Sequence, residues 1–265
     1  MSRIKEVFEN VKSKGRKALI TYITVGDPNL SVSREIIRQL IEKGADILEL
    51  GVPFSDPTAD GPVIQAAAQR ALKTGVNIND ILALVKEIRR VSQIPIVLFG
   101  YYNPFFVFGV REMTQRAKEA GVDGLLVVDL PYEEADELKQ YTDQADLDLV
   151  FLLAPTSNDA RIKMISRKAR GFLYYISMTG VTGSTFSAGQ YIEEDIQRIK
   201  KYTDLPIAIG FGISTPEQAR SMGKFAEGVV VGSAIVRIIE ENRDSPQLLK
   251  KVGDFVAGLK QALNL

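Results

Sequence analysis

The sequence contains no histidine and no cysteine. The absence of cysteine excludes disulfides, thiolate nucleophiles and cysteine-bound zinc. The absence of histidine excludes Ser-His-Asp triads, histidine-bound catalytic metals and imidazole acid/base catalysis. Any proton transfer by side chains of this chain must therefore use Asp, Glu, Lys or Tyr.

The chain has no excess of charge, because 33 basic residues balance 33 acidic residues without a long block of one sign. Nucleic-acid-binding and membrane-surface proteins normally carry a basic excess, so neither class is indicated. No apolar run approaches the roughly 20 residues that a membrane span requires. The N-terminal segment MSRIKEVFENVKSKGRK has the pattern of an amphipathic helix with both charge signs, not that of a signal peptide. These features predict a cytoplasmic protein.

Short apolar segments of strand length recur along the 265 residues, each followed by an amphipathic stretch. The amphipathic stretches have helical spacing, as in SREIIRQLIEKG (33–44), VREMTQRAKEAG (110–121) and PEQARSMGKFAEG (216–228). Continuously apolar strands that alternate with helices predict a parallel sheet with crossover connections. Eight such units predict one domain over 1–265, a single (β/α)8 TIM barrel with an extra N-terminal helix. The predicted strands are 17–24, 46–52, 95–102, 123–130, 147–154, 171–177, 206–212 and 227–233.

A doubly wound open sheet is the alternative architecture. It seldom needs eight regular units, and no GxGxxG follows the first predicted strand, as a dinucleotide-binding fold would require. In a (β/α)8 barrel the active site lies at the carboxyl ends of the strands. Residues near those ends are therefore the candidates for chemistry.

A carboxylate interrupts the second predicted strand, within DILELGVPFSDPTADGP (46–62). Strand alternation places Glu49 on the inward face together with Ile47. A carboxyl group inside an apolar barrel has a raised pKa, which suits proton exchange near neutrality. The alternative is a strand-end glutamate that pairs with a lysine or faces solvent.

A second carboxylate, Asp60, stands just before the helical segment GPVIQAAAQRAL (61–72). Taken alone, an aspartate in this position is most often a helix cap. As a pair in one loop, Glu49 and Asp60 can have different environments, one protonated and one ionised. The pair therefore indicates acid/base chemistry.

Glycine-rich turns follow the last three predicted strands, as GVTGS (180–184), GFGIST (210–215) and VVGSAI (230–235). Backbone N–H groups at helix N-termini suit a dianion, and the loops after strands seven and eight are the usual phosphate site of such barrels. Alternatively, the glycines only allow the backbone to turn and bind no anion. The segment SMTGVTGSTFSAGQ (177–190) fits either a mobile lid over substrate or an ordinary surface loop.

Aromatic and apolar side chains on inward positions would be core in any barrel, but at the carboxyl ends they could line a flat pocket for an aromatic group. No predicted strand carries a lysine near its carboxyl end, and Lys17 lies at the opposite end of the first strand. Schiff-base chemistry is therefore not expected. The pocket candidates are Tyr22, Phe99, Tyr101, Leu126, Leu152, Tyr174 and Phe211.

The run ELGVPFSDPTADGPVIQ (49–65) closely resembles the signature of the tryptophan synthase alpha subunit family. The resemblance implies a (β/α)8 barrel that cleaves indole-3-glycerol phosphate to indole and glyceraldehyde 3-phosphate without a metal or cofactor. It also implies a pyridoxal-phosphate beta subunit that consumes the indole, in an alpha2beta2 heterotetramer. Further motifs occur in the family's order and spacing, namely TYITVGDP (21–28), YYNP (101–104), VVDLP (127–131), GVTG (180–183), GFGIS (210–214) and VVGSAIV (230–236).

The roles that the resemblance implies centre on the two carboxylates. Glu49 would be the general acid/base, protonating the indole ring carbon and then taking a proton from the glycerol hydroxyl. Asp60 would hold the indole N–H and stabilise positive charge on the ring. Thr182 would position Asp60 when the lid closes, and Tyr174 would lie near Glu49. Phosphate would be bound by Gly183, Gly212, Gly232 and Ser233, and the beta subunit would face Pro53, Asp56, Pro57, Asn103 and Pro104.

Four residues depart from the family pattern, namely Thr58, Tyr22, Met178 and Thr179. They bear on rate and lid kinetics rather than on reaction type. A sugar-phosphate isomerase or epimerase, which would share the phosphate loops, is a second reading, and a degenerate alpha subunit that only activates its beta partner is a third. A stand-alone indole-releasing lyase, and the plastid stroma as the location of a plant-type protein, also remain open.

Overall fold

Eight parallel strands form a closed barrel, in which each strand is hydrogen-bonded to the next along the chain and β8 pairs with β1. The computed structural model describes residues 2–176, 185–210 and 212–264, without the side chains of 185–190. The (β/α)8 architecture predicted from the strand–helix alternation is confirmed. The strands are β1 (Ala18–Thr24), β2 (Ile47–Gly51), β3 (Ile96–Gly100), β4 (Gly124–Val127), β5 (Asp148–Leu153), β6 (Leu173–Ile176), β7 (Ile207–Gly210) and β8 (Gly228–Val231).

The strands are buried on both faces, which is why they are almost continuously apolar in sequence. Alternate residues point to the barrel interior, and the others pack beneath the surrounding helices. The parallel register sets Ile20 beside Ile47 and Tyr22 beside Glu49. The interior is filled by Ile20, Ile47, Val97, Leu126, Val150, Phe172, Ala208 and Val230.

Helices surround the barrel, and none of the described ones is long and apolar enough to cross a membrane. Their apolar faces pack on the outward strand residues, for example Leu48 and Leu50 of β2. The helices are α1 (Arg3–Ser13), α2 (Leu30–Glu42), α3 (Pro62–Lys73), α4 (Ile78–Arg89), α5 (Tyr102–Phe108), α6 (Val110–Ala120), α7 (Asp136–Gln144), α8 (Asp159–Lys168), α9 (Thr185–Lys200), α10 (Pro216–Gly223), α11 (Ser233–Asn242) and α12 (Leu248–Leu263).

The N-terminal helix α1 closes the amino-terminal end of the barrel, opposite the carboxyl ends of the strands. Its residues Ile4 and Phe8 belong to the interior cluster, and the Phe8 ring centroid lies 5.7 Å from that of Phe172. Arg3 forms an ion pair of 2.8 Å with the buried Asp123. The extra N-terminal helix predicted from the sequence is confirmed, and it leaves the opposite end of the barrel for the site.

Several predicted boundaries were wrong by a few residues. The strand predicted over 95–102 ends at Gly100, because the Asp129 Oδ1 accepts a hydrogen bond of 2.8 Å from the Tyr102 N–H, at the start of α5. The helix predicted over 33–44 begins at Leu30, because the Asn29 side chain accepts from the Val32 N–H. Each of the other predicted strands begins one or two residues before the observed strand, whereas the first ends at Thr24 as predicted. Local pattern does not show which side chain ends an element.

Candidate active site

Glu49 lies in the middle of β2 with its side chain in the barrel interior. It shares the inward face with Ile47 and is 1% exposed. Neither carboxyl oxygen has a hydrogen-bond partner among the residues that the structure describes. Buried polar atoms without partners are rare in folded proteins because they lose hydration without compensation. The surface or lysine-paired glutamate considered above is therefore excluded.

Burial raises the pKa of Glu49 to about 8. The cause is desolvation, which disfavours the charged carboxylate in an apolar interior. The carboxyl group is therefore protonated at neutral pH and can act as a proton donor. A carboxyl group whose pKa lies near the working pH is also able to take the proton back.

Asp60 lies in the loop after β2 and is half-buried. The N-cap of α3 is the following residue, Gly61, and in the part of the chain that the structure describes no side chain caps that helix. The helix-cap reading of Asp60 is therefore wrong for its side chain. Its backbone carbonyl accepts a hydrogen bond of 2.9 Å from the Gln65 side chain, which holds the loop on the first turn of α3.

Tyr101, at the end of β3, fixes this loop from the neighbouring strand. Its hydroxyl accepts a hydrogen bond of 2.9 Å from the Ala59 N–H, and it is also hydrogen-bonded to the Asp60 carboxylate. Burial raises the pKa of Asp60 to about 6, and the Tyr101 hydrogen bond opposes this rise. Asp60 is consequently ionised at neutral pH, whereas Glu49 is protonated.

Two further tyrosines connect the carboxylates into one site. The pKa values of Tyr22 and Tyr174 are raised by burial and by the charges of both Glu49 and Asp60, so both hydroxyls stay protonated. Each tyrosine crosses a glycine of the next strand. A Cβ at Gly51 would overlap the Tyr22 hydroxyl, and a Cβ at Gly210 would overlap that of Tyr174. These glycines leave the space that the two tyrosine rings occupy beside the neighbouring strands.

Apolar side chains form the wall around the carboxylates. The Tyr22 and Phe99 rings meet edge to face with centroids 5.1 Å apart. Phe99, Leu152 and Tyr174 are partly buried and pack on the interior cluster. Leu126 is completely buried in that cluster and supports the wall from below. The predicted Phe211 lies outside the described residues.

The candidate phosphate site is built at the ends of β7 and β8. Gly212 has φ +72°, a conformation that favours glycine. Gly232 is the N-cap of α11 and Ser233 its first residue, and no side chain of the described residues caps this helix. The first N–H groups of α11 are thus available to an anion, which the positive end of the helix dipole would favour. The predicted Gly183 and Thr182 lie outside the described residues, as does most of the predicted lid.

The residues predicted to face a partner lie on an adjoining surface. Asp56 and Asn103 are exposed, Pro57 is partly exposed, and Pro53 and Pro104 line an apolar groove of about 400 Å³. Sequence reasoning missed Phe106 and Val107 on α5, which are 58% and 77% exposed. The apolar run FFVF (105–108) is the signal that could have identified them.

In the part of the chain that the structure describes, no group of three or more acidic side chains is arranged to hold a metal ion. The residues assembled here instead offer one neutral carboxylic acid, one carboxylate, an aromatic wall and a helix N-terminus. This set can donate and accept a proton on a planar aromatic substrate that also carries an anion.

Comparison with known proteins agrees with this geometry. Residues 8–264 match the family model for the tryptophan synthase alpha chain. The chain is 48% identical to the tryptophan synthase alpha chain of Geotalea uraniireducens, over 98% of this chain and 97% of the relative. It is 46% identical to that of a Thermoanaerobacter species, over 99% of this chain and 100% of the relative.

Solved structures give the same result. Tryptophan synthase subunit alpha from Legionella pneumophila superposes with a TM-score of 0.93 and 37% identity, covering 99% of this chain and 98% of the other. An open form of tryptophan synthase from M. tuberculosis superposes with a TM-score of 0.90 and 33% identity, covering 100% of both chains. The protein therefore belongs to the tryptophan synthase alpha chain family.

Proposed function

We propose that Glu49 and Asp60 are the catalytic residues with which this chain cleaves indole-3-glycerol phosphate. The chain is a lyase of tryptophan biosynthesis, and the isomerase or epimerase reading is not retained. One observation carries the assignment of residues. Burial raises the pKa of Glu49, inside β2, to about 8 and that of Asp60, in the loop after β2, to about 6.

The reaction needs one proton to be added and one to be removed. Protonated Glu49 gives its proton to the indole ring carbon that carries the glycerol chain, while ionised Asp60 accepts a hydrogen bond from the indole N–H. The negative charge of Asp60 stabilises the positive charge that develops on the ring. Glu49, now a carboxylate, takes the proton of the adjacent glycerol hydroxyl as the carbon–carbon bond breaks. Indole and glyceraldehyde 3-phosphate leave, and Glu49 is again protonated.

The remaining assignments place the substrate on this pair. The aromatic wall of Tyr22 and Phe99 would hold the indole ring, and Tyr174 would lie beside Glu49. The phosphate would bind at Gly212, Gly232 and Ser233, supported by the uncapped start of α11. Gly183 and Thr182 remain predictions of the family resemblance.

The two pKa values predict a bell-shaped dependence of kcat/KM on pH. The active form has Asp60 ionised and Glu49 protonated, so activity should rise as pH passes about 6 and fall as it passes about 8. The measurement is the rate of indole release at subsaturating substrate from pH 5 to 9.5. A flat profile over this range would contradict the assignment.

Replacing Gly212 by aspartate should weaken binding of indole-3-glycerol phosphate at least about tenfold, because a carboxylate would face the phosphate. The matched control is Gly15→Asp, which adds the same charge at another positive-φ glycine, where a Cβ meets nothing within 4 Å. Titration calorimetry of both variants measures the difference. Equal affinity in the two variants would show that the phosphate does not bind at Gly212.

We also propose that the chain binds a beta subunit, as alpha2beta2, through the groove and the apolar side chains around it. The support is the likeness to tryptophan synthase from M. tuberculosis and the exposure of large apolar side chains, which usually marks an interaction surface. The proposed surface contains Pro53, Asp56, Pro57, Asn103, Pro104, Phe106 and Val107.

The test of the function is indole release from indole-3-glycerol phosphate by the purified chain, alone and with a beta subunit added. We expect slow release that rises sharply with the partner. Fast release by the chain alone would identify an autonomous indole producer. No release in either condition, from protein with an intact melting transition, would leave only the degenerate, partner-activating role.

We also propose that residues 1–265 form a single domain and that the protein is cytoplasmic. A single domain over 1–265 is supported by helices α1 and α12, which pack on the same barrel from both ends of the chain. The bacterial sources of the relatives favour the cytoplasm over the plastid stroma.

A further inference from the structure

A buried ion-pair network lies behind the active site and is not used by the mechanism above. Arg70, on α3, donates two hydrogen bonds to Asp27, from Nε to Oδ1 at 2.8 Å and from Nη2 to Oδ2 at 2.9 Å. Its Nη1 donates to the Glu240 Oε1 at 2.7 Å. The Arg70 and Asp27 side chains are 16% and 2% exposed, whereas Glu240, on α11, is 39% exposed.

The network joins the two helices whose N-termini build the site. Arg70 follows Pro62, the first residue of α3, by eight residues, so it lies about 12 Å along the helix from the Asp60 loop. Glu240 follows Ser233 by seven residues, or about 10.5 Å along α11 from the candidate phosphate site. One guanidinium therefore connects the helix behind Asp60 to the helix behind the phosphate site.

Apolar packing fills the space between the network and the site. Ile64 and Ala67 of α3 and Val236 of α11 form one buried cluster with Tyr22. Because such a cluster is close-packed, a shift of one helix displaces the other rather than opening a gap. The network and the cluster together hold α3 and α11 as a pair.

Stability alone does not explain the choice of these residues. Burying an ion pair costs desolvation, and apolar residues of similar volume often stabilise a protein as well or better. The two hydrogen bonds to Asp27 fix the orientation of the planar Arg70 guanidinium. In this orientation Nη1 points at Glu240. The geometry of the network thus specifies the relative placement of two helices.

We propose that Arg70 is a positioning residue that couples the phosphate site to Asp60. Phosphate bound at the start of α11 reduces the mobility of that helix. Because Arg70 of α3 is bonded to Glu240 of α11, the mobility of α3 and of the Asp60 loop falls as well. The substrate's phosphate then contributes to catalysis as well as to binding. This inference rests on the phosphate site and the Asp60 role of the proposed function.

The first experiment compares Glu240→Ala, which removes the acceptor for Arg70, with Glu241→Ala at an exposed position on the same helix. Each variant is assayed with indole-3-glycerol phosphate and with indole-3-glycerol, which lacks the phosphate. We expect Glu240→Ala to lower kcat/KM about fivefold to tenfold for the phosphorylated substrate and less than about twofold for the other. Glu241→Ala should change neither value. An equal loss with both substrates would show a merely structural role and overturn the proposal.

A second experiment does not depend on turnover. Inorganic phosphate is added to the full chain, and amide hydrogen exchange is followed at the starts of α11 and α3. We expect slower exchange at both helices in the unaltered chain, and only at α11 in Glu240→Ala. Slowing confined to α11 in the unaltered chain, or retained at both helices in the variant, would refute the coupling. If the chain releases no indole at all, the proposed reaction fails while this result still stands by itself.

The variant Arg70→Lys tests the geometry of the guanidinium separately from its charge. Lysine keeps the positive charge beside Asp27 but loses the two-pronged geometry and the directed bond to Glu240. Its loss of kcat/KM should again be larger for the phosphorylated substrate, with a melting temperature close to that of the unaltered chain. A lowered melting temperature with equal losses for the two substrates would count against positioning.

Discussion

Replacement of Glu49 by glutamine is expected to reduce indole release about 10³-fold or more, with little change in substrate affinity. Glutamine keeps the shape of the side chain but can neither give nor take the proton, and proton transfer by a positioned group contributes about 10² to 10⁴ in rate. The mechanism uses Glu49 for both transfers, so no second group of the site replaces it. Single-turnover rates and titration calorimetry with indole-3-glycerol phosphate separate the two effects.

The matched control for this variant is Glu241→Gln, which makes the same chemical change on the surface of α11. It should retain the full rate. If Glu49→Gln kept more than about a tenth of the rate, Glu49 could not be the general acid/base, because the loss would fall below the range for such a group.

The same substitution should stabilise the folded chain, increasingly so at higher pH. The unfolded chain loses the Glu49 proton near the ordinary pKa of about 4.3, whereas the folded chain keeps it up to about pH 8. Folded protein binds more protons in this window, so stability falls as pH rises through it, by on the order of 4 kcal/mol. Glutamine has no such titration. The difference in melting temperature between variant and unaltered chain should therefore widen from pH 4.5 to 8, and a constant difference would contradict the raised pKa.

Replacement of Asp60 by asparagine is expected to lower the rate about 10²- to 10³-fold, with a smaller effect on affinity. The amide keeps an acceptor for the indole N–H but has no negative charge to stabilise the ring cation, and removing one such stabilising group typically costs this much. The acid limb of the pH profile near 6 should disappear with the carboxylate, because Asp60 is the group that titrates there. The readouts are steady-state kcat and the pH dependence of kcat/KM.

Asp244→Asn is the control for this change, because Asp244 is 91% exposed and lies beyond α11. It should leave both the rate and the acid limb in place. A near-normal rate for Asp60→Asn, or an acid limb that persists in this variant, would show that another group stabilises the ring cation.

Strand alternation was a sufficient guide to Glu49. A period of two residues assigns Glu49 and Ile47 to the same face, and the structure finds both inside the barrel. Local pattern was less informative for Asp60, because an aspartate just before a helix is most often a cap, and only its pairing with Glu49 indicated chemistry. The cap is Gly61, and the group that meets the Asp60 carboxylate is Tyr101, 41 positions further along the chain. No local pattern contains that contact.

The sequence by itself determined the repeating strand–helix units, the inward position of Glu49, the glycine turns after β7 and β8 and the exclusion of imidazole and thiol chemistry. These follow from periodicity and residue type, which act over a few neighbours. Only the tertiary structure decided the protonation of the two carboxyl groups, the Arg70 network between α3 and α11 and the exposure of Phe106 and Val107. Each of these depends on burial or contact between residues far apart in the chain, and desolvation and ion pairing are properties of that assembled environment.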